Sequence, residues 1–158
     1  MIPVAAVVAA IALAAPWVSR ENRARYAADI AAAAPNVVVA NAMVATAVTE
    51  SDFRPAIERC ECKDDECDRD ANGHAQAVGL FQLHWYHFNG HTAEEICGSN
   101  RLGAELVART LSGLAARVGG DMSEALRVYV GTSVRREDPR VKRRLELFDL
   151  LMGVHPDA

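Results

Sequence analysis

Residues 36–51 read NVVVANAMVATAVTES and predict a helix that is apolar on nearly every face. Asn36 can cap its first turn. Apolar residues then recur at helical spacing, at Ala40, Met43, Val44, Ala47 and Val48. A helix of this kind lies in the middle of a core, and Arg54-Pro55 prevents it from continuing. The sequence therefore predicts a central buried helix from Val37 to about Glu50.

Further helices are predicted on both sides of this central helix. Their starts are marked by capping residues, Ser19, Asp121 and Asp138, and by the capping box that begins at Thr92. Proline or glycine follows most of their ends. The expected segments are 20–34, 37–50, a short helix from 93, 100–118, one from 122 that carries Tyr129, and 139–152. The fold class predicted is mainly α, with a small cysteine-containing loop or β-hairpin excursion.

The first 18 residues differ from the rest of the chain, because Ile2 to Ala15 is an apolar run broken only by Pro3. Ala12-Leu13-Ala14 has the small-x-small form of a signal-peptidase site, although no Lys or Arg precedes it. The run is shorter than the about 20 residues that a membrane span needs. Three interpretations stay open: a cleaved export signal, a retained anchor, or an ordinary buried segment. We expect residues 1–18 to form this segment and 19–158 the main domain.

Four cysteines bear on the compartment: Cys60, Cys62, Cys67 and Cys97. In an exported protein an even set predicts disulfides. Cys60 and Cys62 are too close to pair comfortably, which leaves 60–67 with 62–97, or 60–97 with 62–67. A four-thiolate zinc site and free thiols are the alternatives. We expect no metal, because only one residue separates Cys60 from Cys62, whereas zinc knuckles usually have two.

Length and charge narrow the class of protein. A chain of 158 residues fits one domain with one core. The net charge of −4 argues against nucleic acid as the main partner. Basic residues cluster late, at Arg135, Arg136, Arg140, Lys142, Arg143 and Arg144. We interpret them as the solvated face of a terminal helix; attraction to an anionic cell-wall polymer is the alternative.

Three short motifs carry the functional prediction. Glu50-Ser51 ends the central helix, Gly79-Leu80-Phe81-Gln82 follows, and Ala125 to Gly131 contains Tyr129. Together and in this order they resemble the catalytic domain of soluble lytic transglycosylases, over about residues 21–151. The resemblance implies a lysozyme-like fold and cleavage of peptidoglycan glycan strands without a cofactor. Val130 stands where that family usually has Asn, so the side-chain amide that the family supplies beside this tyrosine is missing.

The resemblance also implies roles for individual residues. Glu50 would be the acid and base, and the family tyrosine at position 129 would contact it through its hydroxyl. Ser51, Gly79, Leu80 and Gln82 would line the glycan site. The end of an apolar, buried helix suits an acid that must keep its proton near neutral pH, since the helix dipole and desolvation both disfavour a carboxylate there.

Aromatic residues follow the second motif, and Trp85 is a candidate for stacking on sugar rings, with a core position as the alternative. Asp52 lies too close to Glu50 along the chain to flank the same bond, so we assign it no catalytic role.

Two other functions stay open. The interval between the first two motifs is longer than usual and holds Asp65, Asp68 and Asp70. One of these could serve as the second carboxylate of a goose-type-like lysozyme, which hydrolyses the same bond with water. A non-catalytic glycan-binding or structural relative is the third class. Residues 68–73 resemble the start of a calcium loop, but Gly79 stands where its closing glutamate would fall. We expect an exported or virion-associated monomer, alone or within a larger cell-wall-penetrating assembly.

Overall fold

The structure, a computed structural model, describes residues 1–61, 76–131 and 133–154. Within these ranges the protein is mainly helical, with eight α-helices and one two-stranded sheet. In chain order the elements are α1 (Val4–Ala14), α2 (Arg20–Ala33), α3 (Val37–Glu50), α4 (Pro55–Glu58), β1 (Ala77–Val78), β2 (Leu83–His84), α5 (Ala93–Cys97), α6 (Asn100–Arg117), α7 (Met122–Val130) and α8 (Pro139–Val154). The mainly α class is thereby confirmed.

Side-chain caps fix the starts of the helices where the sequence placed them. Ser19 accepts a hydrogen bond from the backbone of Asn22, and Asn36 does the same for Val39. The capping box at Thr92 is complete, because the Glu95 side chain returns a bond to the Thr92 backbone. The end predicted for α8 is wrong, because the helix continues from Met152 through Gly153 to Val154. A glycine permits a left-handed stop but does not enforce one.

Helix α3 is the centre of the core. It packs against α1, α2, α6, α7 and α8, and every residue from Val39 to Val48 is buried. Its polar side chains find partners inside the core: the Thr46 hydroxyl donates to the Ala42 carbonyl at 2.8 Å, and the Asn41 amide donates to Leu151 of α8 at 3.3 Å. These bonds remove the cost of burying polar groups, so that α3 can be surrounded on all sides.

Helix α1 belongs to the same core. Val7, Ala10, Ile11 and Ala14 are buried, and the helix packs against α2, α3 and α8. The hydrophobic core is therefore continuous across residue 18. Cleavage of residues 1–18 as an export signal stays a prediction. None of the helices in the described ranges combines the length and the apolar character that a bilayer crossing requires.

The β excursion is a hairpin whose turn is the second sequence motif. Strand β1 pairs antiparallel with β2, with Val78 opposite Leu83, so residues 79–82 form the connection. Gly79 and Gln82 have left-handed φ angles of 72° and 46°, and the Gln82 backbone donates to the Gly79 carbonyl at 3.1 Å. From its polar, acidic and cysteine-rich composition, the sequence alone predicts the loop or small hairpin at residues 59–73 instead, and most of that segment lies outside the described residues.

A disulfide joins Cys60, just after α4, to Cys97 at the end of α5. This is one bridge of the second predicted pairing. Cys62 and Cys67 lie outside the described residues. A four-thiolate zinc site is not formed, because two of its four sulfurs are in this bond.

Beside the disulfide, Glu58 ties α4 to α2 and α6. Its buried carboxylate accepts hydrogen bonds from Arg25, from the Tyr26 hydroxyl at 2.5 Å and from Asn100. Burial alone would raise the pKa of Glu58, but these three donors outweigh it and the pKa is lowered. The network around Glu58 therefore stabilises the folded protein at pH values above the ordinary pKa of a glutamate. This contribution to the free energy of unfolding is lost as the pH falls through the lowered pKa of Glu58.

Candidate functional site

Glu50 is the last residue of α3, and its carboxylate reaches a cavity of about 400 Å³ between the hairpin and α7. Its side chain is 25% exposed, so that it touches both the core and the cavity. The other lining residues come from the hairpin region, α7 and α8: Ala77, Gln82, His84, Tyr86, His87, Tyr129, Val130 and Arg140. The three sequence motifs therefore each contribute a residue to one cavity, Glu50, Gln82 and Tyr129.

Arg144 of α8 is the main partner of Glu50. Its guanidinium Nη2 donates to Glu50 Oε1, and its Nε donates to the Thr49 hydroxyl at 2.9 Å. The guanidinium also lies 5.5 Å from the centre of the Tyr129 ring, within cation–π range. Arg144 is only 1% exposed. The carboxylate of Glu50 is thus held by a buried cation, which fixes its orientation in the cavity.

The position of Arg144 contradicts its interpretation as part of a solvated basic face. The neighbouring Lys142 and Arg143 are indeed exposed. Arg144, however, lies on the inward stripe of α8 with Val141, Phe148 and Leu151, all buried. Residues three, four and seven positions apart share one face of a helix. That spacing is the signal in the sequence that identifies Arg144 as a core residue.

We expect Arg144→Met to lower the free energy of unfolding by about 2 kcal/mol, the usual contribution of hydrogen bonds to charged groups. Methionine fills much of the same volume but leaves Glu50 and Thr49 without their partner. Urea unfolding measures the change, and Arg143→Met on the exposed face of α8 is the matched control. Equal changes in the two variants would contradict a stabilising role for the buried pair.

Tyr129 differs from its expected contact. Its hydroxyl donates to the Phe81 carbonyl at 3.1 Å instead of to Glu50, whose carboxylate is taken by Arg144. The predicted direct contact with Glu50 is therefore replaced by a link between α7 and the hairpin turn. Burial, reinforced by the charge of Glu50, raises the pKa of Tyr129 well above its usual value. The phenol stays protonated and acts as a donor throughout the physiological range.

The remaining motif residues are mostly structural in this geometry. Ser51 is buried, and its hydroxyl donates to the Ala47 carbonyl and accepts from the Phe53 backbone, so it serves as a stop for α3. Leu80 is buried in the core, and Gly79 occupies the left-handed position of the turn. Only Gln82 of this group lines the cavity, and its amide nitrogen also donates to the Gly79 carbonyl at 3.1 Å.

Aromatic and imidazole rings form one wall of the cavity. Trp85 and Tyr86 are 57% and 56% exposed, and both lie in the 3₁₀ turn that follows β2. Of the two, Tyr86 lines the cavity and Trp85 does not. The His84 ring stacks on Tyr86 at 4.4 Å, and His87 lies parallel to Tyr129 at 6.5 Å. Burial lowers the pKa of His87, with His84 and Arg117 acting in the same direction. The exposed rings provide flat apolar faces of the kind on which sugars stack. The sequence singled out Trp85, but it did not identify the two histidines as cavity residues.

In the described part of the chain, no residue supplies the second carboxylate that a hydrolase would need beside Glu50. Glu50 is the only acidic residue that lines the cavity there. Asp52 is exposed in the turn after α3, with a φ of 53°. Asp65, Asp68 and Asp70 fall outside the described residues, together with the calcium-like segment. Within the described ranges no group of three metal-binding side chains occurs.

Comparison of the chain with models of protein families, with curated proteins and with solved structures finds no match.

Proposed function

We propose that this protein is a peptidoglycan lytic transglycosylase with a lysozyme-like helical domain, exported or virion-associated. One observation carries the proposal: the carboxylate of Glu50, at the end of a buried helix, lines a cavity that Gln82 and Tyr129 also line. The order of the three motifs along the chain supports the same activity. The Cys60–Cys97 disulfide fits an oxidising compartment outside the cytoplasm.

The reaction needs one carboxyl group acting twice. Protonated Glu50 would donate its proton to the glycosidic oxygen as the bond between N-acetylmuramic acid C1 and that oxygen breaks. The resulting carboxylate would then accept the proton of the C6 hydroxyl on the same muramic acid, whose oxygen attacks C1. The products are a 1,6-anhydro end and a free hydroxyl on the leaving sugar. Protons balance without water or a cofactor.

Arg144 suits the second half of this cycle. A guanidinium beside the carboxylate stabilises Glu50 once the proton has left, and it keeps the oxygen that must accept the next proton in a fixed position. The first half requires Glu50 in its protonated form, with its proton directed at the glycosidic oxygen.

Mass spectrometry of products from purified peptidoglycan tests the proposal. We expect muropeptides with anhydro ends, which are lighter by one water than the corresponding reducing ends. Reducing ends would instead identify the protein as a hydrolase. The aspartates at 65, 68 and 70 would then be the candidates for its second carboxylate. The absence of both products at high enzyme concentration would favour the non-catalytic alternative.

We expect Tyr129→Phe to lower turnover by roughly tenfold and the free energy of unfolding by about 1 kcal/mol, the value of one hydrogen bond. The hydroxyl connects α7 to the hairpin turn, so its loss loosens Gln82 and the cavity wall. Anhydro-product formation and urea unfolding, measured on the same preparation, separate the two effects. Full activity in the variant would show that the hydroxyl has a packing role alone.

A further inference from the structure

A second cavity adjoins the one that contains Glu50. It has a volume of about 330 Å³ and lies against α6. Tyr86 and His87 line both cavities, so the two cavities are neighbours that share these two side chains. A polymer bound in the first cavity could therefore extend past Tyr86 and His87 into the second. None of the three sequence motifs contributes to the second cavity.

The second cavity is positively charged. Arg109 and Arg117 of α6 line it, and its described lining contains no carboxylate. Within the described ranges neither guanidinium forms a salt bridge, in contrast to Arg101 of the same helix, which pairs with Glu105 at 2.6 Å. Two guanidiniums without a salt-bridge partner in the described part of the chain, whose net charge is −4 overall, make a local site for an anion.

Gly113 lies between the two arginines and keeps the floor of this cavity open. It occupies the interior of α6, where glycine costs about 1 kcal/mol relative to alanine. Its backbone conformation does not require glycine, and a Cβ atom built there would meet no described atom within 4 Å. Packing within the protein therefore does not explain why this position is glycine. A ligand that approaches the helix backbone between Arg109 and Arg117 would explain it, because glycine leaves the backbone accessible.

We propose that the Arg109–Gly113–Arg117 cavity binds a carboxylate on the stem peptide of the peptidoglycan strand while the glycan lies at Glu50. This inference rests on the proposed function for the identity of the polymer. The muramic acid lactyl group carries a peptide with free carboxylates, and that peptide leaves the sugar chain sideways. A basic cavity next to the glycan cavity matches such an arm. Planar guanidiniums bind carboxylates through two parallel hydrogen bonds.

The test compares glycan strands with free stem carboxylates and the same strands after those carboxylates have been converted to amides. Amidation removes the charge and leaves the length and shape of the peptide almost unchanged. For the wild-type chain we expect kcat/KM to be roughly tenfold higher on the free-carboxylate strands, which corresponds to two partly exposed charge pairs. The ratio should fall toward one as salt is added, since exposed charges are screened.

The variants locate the effect. Arg109→Gln with Arg117→Gln should bring the ratio of kcat/KM values to about one, and Gly113→Met, which fills the cavity, should do the same. Gly113→Ala adds a Cβ atom where the ligand approaches the helix backbone and should lower the ratio in part. Arg101→Gln, on the same helix but outside the cavity, is the matched control and should keep the ratio.

Binding of both strand types to the full-length Glu50→Gln chain separates this inference from the proposed function. Cleavage of both strands with equal kcat/KM would overturn the stem-peptide site and leave the transglycosylase intact. Preferential binding of free-carboxylate strands, dependent on Arg109 and Arg117 but without cleavage by the wild type, would support the site and overturn the transglycosylase. Failure to bind or cleave either strand would overturn both.

Discussion

Glu50→Gln is expected to lower the rate of glycan cleavage by roughly 10³-fold or more, because the same carboxyl group supplies the proton and later accepts one. Glutamine has the same shape and its amide oxygen still accepts a hydrogen bond from Arg144, so the fold should be retained. We expect the free energy of unfolding to fall by only about 1 kcal/mol, the difference between a charged and a neutral acceptor. Anhydro-product formation per unit time measures the first effect, and urea unfolding the second.

Asp52→Asn provides the control for this experiment. It removes an exposed carboxylate two residues from Glu50, at a turn position where the φ of 53° suits asparagine well. We expect its activity and stability to equal those of the wild type. A folded Glu50→Gln protein that keeps near-normal cleavage would remove Glu50 from the mechanism, and an equal loss in both variants would point to a general effect of negative charge.

The second large effect is expected from the disulfide. Replacing Cys60 and Cys97 by serine should lower the free energy of unfolding by about 4 kcal/mol, because the bridge closes a loop with a sequence separation of 37 and so restricts the unfolded chain. Urea unfolding of the oxidised wild type and the double variant measures this difference.

Cleavage activity should also fall in the double variant. The loop closed by the disulfide contains the hairpin and the 3₁₀ turn after β2, which contribute Gln82, Tyr86 and His87 to the cavity. We therefore expect the double variant to lose cleavage at urea concentrations where its helical signal persists. Coincident loss of activity and helix would contradict a local role for the bridge.

The double variant Cys62→Ser with Cys67→Ser is matched to the Cys60 and Cys97 variant. It removes the other predicted bridge, between Cys62 and Cys67, and so tests that bridge. Thiol titration of the denatured, unreduced wild type should find no free thiol. Two free thiols would confine the oxidised pair to Cys60 and Cys97, and four would contradict the disulfide itself.

Local signals predicted most of the helices, because capping is a contact between neighbours in the chain. Asn36 caps α3 through Val39, three residues away, and the composition of α3 alone was enough to place it in the core. The hairpin was harder to place, since its strands are only two residues each. Strands that short carry too little alternation to be distinguished from loop.

What the sequence by itself determined is therefore the helical class, the buried α3 and the position of Glu50 at its end, all of which depend on residues within one or two turns of each other. What only the tertiary structure decided is the surroundings of Glu50. Arg144 is 94 positions away in the chain, and it belongs to the site only because α8 packs on α3. The same holds for Tyr129, whose hydroxyl reaches Phe81 across 48 positions. Which side chains contact each other depends on which helix faces meet, and the packing of the whole core determines that.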